Sequence, residues 1–205
     1  MLTEQDKYYS DVVTSIVGVD EAGRGPLAGP VVAAACILPR DYKNNLINDS
    51  KQVSEKRREE LFIEIKKVAI AYGICFVSAP EIDKLNIYEA TKVAMKGAIE
   101  QIKVPYQLIL TDAMKLDLPV EVIPLIKGDA RCENIAAASI LAKVSRDHYM
   151  CELEKQYPNF KFSVHKGYGT KLHLEEIEKY GPIKDIHRFT YAPVKKYFVK
   201  QLTLF

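Results

Sequence analysis

Two adjacent acids, Asp20 and Glu21, follow the apolar run Ser15-Ile16-Val17-Gly18-Val19 and open the loop Ala22-Gly23-Arg24-Gly25-Pro26. Carboxylates at a strand end offer hard oxygen donors. Glycines let backbone approach a ligand closely, and an arginine suits phosphate. The layout is that of a metal-dependent site handling a phosphodiester. Neighbouring residues of a strand point to opposite faces, so the two acids serve one site only if the strand ends or bends there; Gly23 and Gly25 supply the bend. The competing reading is a charged surface loop, which is weakened because an apolar strand delivers the pair.

Two further acids stand in suggestive places. Asp112 ends a short apolar segment, 107–111, and reaches the same sheet edge if that segment neighbours the first strand; otherwise it is a turn former or helix cap. Asp147 lies within a long helical pattern, one turn after Lys143 and two after Ser139, where an i,i+4 ion pair with Lys143 is the plain reading. Four carboxylates gathered together repel, at about 4 kcal/mol per pair for a separation of about 4 Å and an effective dielectric of about 20. Such a cluster requires divalent cations, and an all-oxygen donor set selects Mg²⁺ or Mn²⁺ over zinc. Two such ions activate a water and stabilise the leaving oxygen of an in-line phosphoryl displacement. The loop spacing, with glycines at 23, 25 and 29, misses the dinucleotide fingerprint, and no phosphate-loop lysine motif is present.

These acids need a scaffold. The patterns predict strands over 16–19 and 31–38, a helix opened by Ser54 with Leu61, Phe62 and Ile65 inward, and a third strand over 68–77. A helix is expected over 80–103, short strands over 107–111 and 121–126, and a long helix over 133–157. One or two short helices should follow. The expected class is α/β: a mixed five-stranded sheet flanked by helices over 1–157, with a small C-terminal helical extension, 158–205, continuous with it. At 205 residues, 48% hydrophobic and 27% charged, the chain has enough apolar sequence for a core. Cys36, Cys75, Cys132 and Cys151 have no metal or redox spacing and read as buried thiols of a reducing compartment. The polar start and the lack of a long apolar run predict a cytoplasmic protein with no membrane partner. Net charge is only +2, but residues 158–205 hold nine Lys or Arg against four Asp or Glu, with His165, His173 and His187. That segment is either a track for a phosphate backbone or a solvated surface.

Taken together, the run from Gly18 to Val31 resembles the opening signature of the type 2 ribonuclease H family, specifically bacterial ribonuclease HII. The resemblance continues through Asn48-Asp49-Ser50-Lys51, Leu110-Thr111-Asp112-Ala113, Lys127-Gly128-Asp129-Ala130, the stretch 135–147, and Gly167-Tyr168-Gly169-Thr170 with His173. It covers about residues 15–195, and Arg24 separates it from ribonuclease HIII, whose loop usually reads Gly-Thr-Gly. The resemblance implies a ribonuclease H fold with metal ligands Asp20, Glu21, Asp112 and Asp147. It implies endonucleolytic hydrolysis of the RNA strand of RNA–DNA hybrids, and cutting at ribonucleotides embedded in duplex DNA, leaving 5′-phosphate and 3′-hydroxyl ends. Gly23, Arg24 and Gly25 would contact the scissile ribonucleotide and Tyr168 would sense its 2′-hydroxyl, the group that distinguishes RNA from DNA. A plain core aromatic is the alternative for Tyr168. Ser50 and Lys51 are further backbone contacts or, equally, a helix cap and a solvated lysine. The chain departs from the family where Gly169 replaces a usual proline and where His187-Arg188-Phe189-Thr190-Tyr191 replaces the usual His-Arg-Arg-Ser-Phe.

The end of the chain, Gln201-Leu202-Thr203-Leu204-Phe205, resembles the peptide by which bacterial replication and repair proteins dock on the sliding clamp; the alternative is that Leu202, Leu204 and Phe205 pack on the body. The chain is expected to act as a monomer. Another ribonuclease H-fold nuclease, of junction-resolvase type, and a non-catalytic hybrid-binding module are the competing functions.

Overall fold

The computed structural model describes residues 15–42, 44, 47 and 54–202, the last five by backbone alone. Ser50, Lys51, Leu204 and Phe205 lie outside the described residues, and Gln201 and Leu202 fall within the backbone-only stretch.

Strands β1 (Ile16–Ala22), β2 (Val31–Ile37) and β3 (Ala71–Val77) run antiparallel to one another in succession. β4 (Leu108–Asp112) lies parallel to β1 on its other side and β5 (Val122–Leu125) parallel to β4, giving the order β3-β2-β1-β4-β5. The expected mixed five-stranded sheet is thus present. A short loop suffices between antiparallel β1 and β2, whereas β4 is reached by a crossover containing α2 (Ala79–Leu85) and α3 (Ile87–Ile99). Preceding these, α1 (Glu55–Val68) is capped by Ser54, whose hydroxyl accepts from the Arg57 N–H at 3.3 Å.

Each face of the sheet is covered. Ala94, Met95 and Ala98 of α3 pack on Val17, Val19, Ala33 and Ala35. On the other face, Ala136, Ala137, Ile140 and Leu141 of α4 (Glu133–Gln156), with Leu61 and Ile65 of α1, pack on Ala34 and Cys36. The alanine-rich start of α4 is matched by Gly18 on β1, where an added Cβ would stand 2.1 Å from the Asn134 carbonyl carbon. Asn134 Oδ1 also accepts from the Leu38 N–H at 2.7 Å, fastening the start of α4 to the end of β2.

Three expected boundaries differ. The predicted helix over 80–103 is two helices, because Asn86 adopts φ +70° and its side chain accepts from the N–H groups of Tyr88 and Glu89, capping α3 afresh. β3 begins three residues later than expected because α1 runs through Val68, and the Ala69 N–H still bonds to Ile65. Among the described residues the extension holds three helices: α5 (Phe162–His165), α6 (Lys171–Tyr180) and α7 (Ala192–Leu202). It packs through Phe160, Phe162, Ile177 and Val194 on Met150 and Leu153 of α4 and on Leu27 and Ala28 of the β1–β2 loop.

The three histidines of this region face inward rather than toward a phosphate track. His165, His173 and His187 are buried among Phe160 and Phe162. Their bonds fix one set of tautomers. The Ile183 N–H donates to His187 Nδ1 at 2.9 Å, so His187 Nε2 donates to His173 Nε2 at 3.1 Å and His173 Nδ1 donates to the Tyr168 carbonyl at 2.9 Å. His165 accepts from the Gly167 N–H and donates to Glu176, which also accepts from the Lys161 N–H. All are held neutral: burial first, then neighbouring imidazoles, push His173 down to about 4 and His187 down to about 3, and burial lowers His165.

An unfolded histidine titrates near about 6.5, so below that pH the unfolded chain binds more protons than the native one and histidine-linked stability is lost toward about pH 4. The thermal midpoint of the wild type minus that of His187→Gln should therefore narrow as pH falls from 7 to 4.5. A pH-independent difference would refute the buried neutral set.

Candidate active site

On β1, Val17 and Val19 enter the α3 core, so the alternation turns Gly18 and Asp20 toward α4. The parallel ladder pairs Gly18 with Leu110 and Val19 with Thr111, which makes Asp20 and Asp112 the next positions along adjacent strands. The expected sheet-edge meeting of these acids occurs. The strand does not end at Glu21, however: β1 continues to Ala22 against Val32 of β2 and turns only at Gly23, at φ +95°. Because the β4 pairing stops at Val19 and Thr111, no strand among the described residues flanks β1 beyond that point on this side.

The result is a cavity of about 170 Å³ lined by Asp20, Glu21 and Asp112, by Ser139, Lys143 and Arg146 of α4, and by Gly23 and Tyr168. Asp20 accepts from the Glu21 N–H at 2.7 Å and is bonded by Ser139, while the Gly128 N–H donates to Asp112 Oδ1 at 2.8 Å. Burial, then the charge of Glu21, holds the Asp20 carboxyl well above the usual range, against the lowering by Ser139. Burial also raises Glu21, offset by Arg24, whose Nη1 lies 3.3 Å from Glu21 Oε1. Glu21 Oε2 is buried and, among the described residues, has no hydrogen-bond partner.

Asp147 is not among the lining residues. It is buried one turn beyond Lys143, whose Nζ donates to Asp147 Oδ1 at 2.7 Å, so the i,i+4 ion pair read from the sequence is present. Ser139, Lys143 and Asp147 form one stripe of α4. Among the described residues, no three acid, histidine or cysteine side chains stand in metal-holding geometry. The acids converge without closing into a cage.

Tyr168 is 44% exposed, which decides against the core-aromatic reading. Its ring lies beside the loop: a Cβ on Gly25 would be 3.7 Å from Tyr168 Cε1, and Arg146 Cζ stands 5.9 Å from the ring centre. Arg24, half exposed, is the loop's free-standing cation apart from its contact with Glu21.

Two residues that sequence reasoning missed underlie this arrangement. Arg146, 1% exposed, donates to the carbonyls of Pro30, Ala28 and Lys166 at 3.0, 3.1 and 2.9 Å. Arg188, fully buried, donates to the carbonyls of Gly23, Arg24 and Gly29. Among the described residues neither forms an ion pair with a carboxylate. Burying an ion costs several kcal/mol, and hydrogen bonds from a charged donor, at about 1.5–3 kcal/mol each, offset it only when nearly every N–H is used. Burial, then the neighbouring Arg188 charge, lowers Arg146 to about 10, so it stays cationic at neutral pH. A signal for Arg146 existed in its position on the apolar side of α4; Arg188 carried none.

Residues 17–194 match the family model described as Ribonuclease HII. The chain is 52% identical over 189 residues to ribonuclease HII of Caldanaerobacter subterraneus subsp. tengcongensis, covering 92% of this chain and 78% of that one. Among solved structures it is similar to ribonuclease H2 of Pyrococcus horikoshii OT3, with TM-score 0.77 and 28% identity over 91% of this chain and 98% of that one. It is also similar to the RNase HII of a PCNA:RNase HII complex from Archaeoglobus fulgidus, with TM-score 0.71 and 27% identity over 86% and 95%. With acids converging at a sheet edge beside a glycine loop, and with this likeness over nearly its whole length, the chain belongs to the ribonuclease HII family and is a metal-dependent endoribonuclease of the ribonuclease H type.

Proposed function

We propose that Asp20, Glu21, Asp112 and Asp147 hold Mg²⁺ or Mn²⁺ and that the site cuts the RNA strand of RNA–DNA hybrids and single ribonucleotides in duplex DNA. The carrying observation is the cavity in which Asp20, Glu21 and Asp112 meet, with Glu21 Oε2 buried and unpartnered among the described residues. An all-oxygen set in which burial, and then neighbouring carboxylate charge, raises Asp20 and Glu21 fits hard divalent cations. When bound, two such ions would supply an activated water and stabilise the leaving 3′-oxygen of an in-line displacement. Within the chain, Ser139 and the Glu21 N–H orient Asp20, and the Gly128 N–H orients Asp112. Lys143 Nζ holds Asp147 Oδ1, so as fourth donor Asp147 would ligate through its other oxygen or would need this lysine to yield.

The Gly23-Arg24-Gly25 loop and Tyr168 are assigned to the scissile ribonucleotide, Tyr168 to its 2′-hydroxyl, because the exposed ring abuts the loop at the cavity mouth. Ser50 and Lys51 are kept as substrate contacts on the family resemblance alone. A cytoplasmic monomer remains the reading of the sequence; all four cysteines are free, and among the described residues no helix is long and apolar enough to cross a membrane. A sliding clamp is the proposed partner of Gln201, Leu202, Leu204 and Phe205, supported by the solved complex of the Archaeoglobus fulgidus relative with PCNA.

Three outcomes are expected. Asp112→Asn should lower turnover on a uniform hybrid at least about 10³-fold, about 4 kcal/mol, while hybrid binding survives; near-normal turnover would refute the metal assignment. Tyr168→Phe should reduce discrimination between ribose and deoxyribose at the cut position about tenfold, measured on matched duplexes. Deleting residues 201–205 should abolish binding to the sliding clamp in a pull-down and leave hybrid cleavage unchanged, and persistent binding would exclude the tail.

A further inference from the structure

The direction in which the β1–β2 loop presents its peptides is set from inside. Arg188 spends all five N–H donors there: Nε and Nη2 on the Gly29 carbonyl at 3.1 and 2.9 Å, Nη2 also on Gly23 at 2.6 Å, and Nη1 on the Arg24 carbonyl at 2.9 Å and the Tyr191 hydroxyl at 3.0 Å. The Tyr191 hydroxyl itself donates to the Arg24 carbonyl at 2.7 Å, and its ring centre lies 5.2 Å from Arg188 Cζ. In a trans peptide the C=O and the following N–H point in opposite directions. Drawing the Gly23 and Arg24 carbonyls onto Arg188 therefore turns the N–H groups of Arg24 and Gly25 away from the interior. Among the described residues, neither of those N–H groups has an acceptor.

We propose that Arg188 and Tyr191 are positioning residues for the cleavage reaction: the forked guanidinium and the phenol hydroxyl fix the outward face of Gly23-Arg24-Gly25 and thereby the register of the scissile ribonucleotide against the acids. This rests on the reading of that loop as a substrate contact. Neither side chain touches the acids, so both act only through the loop. A lysine at 188 would keep the charge but could not span three carbonyls, since its donors radiate from one atom. A duplex with one embedded ribonucleotide offers a single productive register, whereas a long hybrid offers many equivalent ones. Misdirection of the loop must therefore cost the first substrate more.

The test is steady-state kinetics of Tyr191→Phe, Arg188→Lys and Gly25→Ala on both substrates, with thermal midpoints. Tyr191→Phe keeps the ring and removes one hydroxyl. Its KM for the single-ribonucleotide duplex should rise about fivefold, the worth of one hydrogen bond, with kcat and the long-hybrid KM within about twofold. Arg188→Lys should show the same ordering with a loss of about fiftyfold; should it not fold, Tyr191→Phe alone decides. Equal losses on both substrates, tracking a fall in thermal midpoint, would overturn the positioning role. Gly25→Ala separates the two layers of the argument, because its Cβ has room beside Tyr168 and its backbone is not at positive φ. If Gly25→Ala leaves KM unchanged, the loop is no substrate contact and the underlying reading fails. If it raises KM while Tyr191→Phe and Arg188→Lys do not, the positioning inference alone fails.

Discussion

The site depends first on how closely α4 lies against β1. Only a glycine at position 18 lets the backbone of Asn134 come in, and every α4 residue of the site is measured from that contact. Ser139 reaches Asp20 because it sits little more than one turn beyond it, and Lys143 and Asp147 follow at helical spacing. A methyl group at position 18 would move the helix by an ångström or more, and displacements of about 1 Å are worth about a hundredfold in rate where reacting groups must align. The tight seam is therefore a catalytic tolerance as well as a packing feature.

Around this seam the charges are arranged so that no acid is left to its neighbours' repulsion alone. Arg24 faces Glu21, Lys143 faces Asp147, and Ser139 and two peptide N–H groups bond Asp20 and Asp112. The buried guanidiniums belong to a different layer. Arg146 lines the cavity, yet its hydrogen bonds go to backbone carbonyls, so it joins the acidic cleft to the turn that carries Tyr168. Cations at the rim balance the acids, and cations inside hold the chain.

Much of this was legible in the sequence because it is periodic or local. The β-branched runs of β1 and β2, the Ser54 cap and the alanine-rich start of α4 each report their own conformation. Asp20 and Asp112 could be placed at one edge once their strands were. What escaped reading depends on partners distant in the chain. His173 and His187 look like surface basic residues until Tyr168 and Ile183 supply their hydrogen bonds, and Arg188 has no visible role until residues 23–29 turn their carbonyls toward it. Asn86 is missed for the opposite reason: a single left-handed residue interrupts an apolar period that continues on either side of it.

The bond from Arg188 to Gly23 spans 165 positions of the chain. Contacts of such separation form late, because a long loop must close before they return anything. During synthesis the acids of β1 emerge early and the chain that aims their substrate emerges much later. A ribosome-bound chain that has not reached Arg188 would carry the carboxylates without the means to choose where they cut. Selectivity is thereby made a property of the finished fold, acquired after the potential for hydrolysis has been laid down.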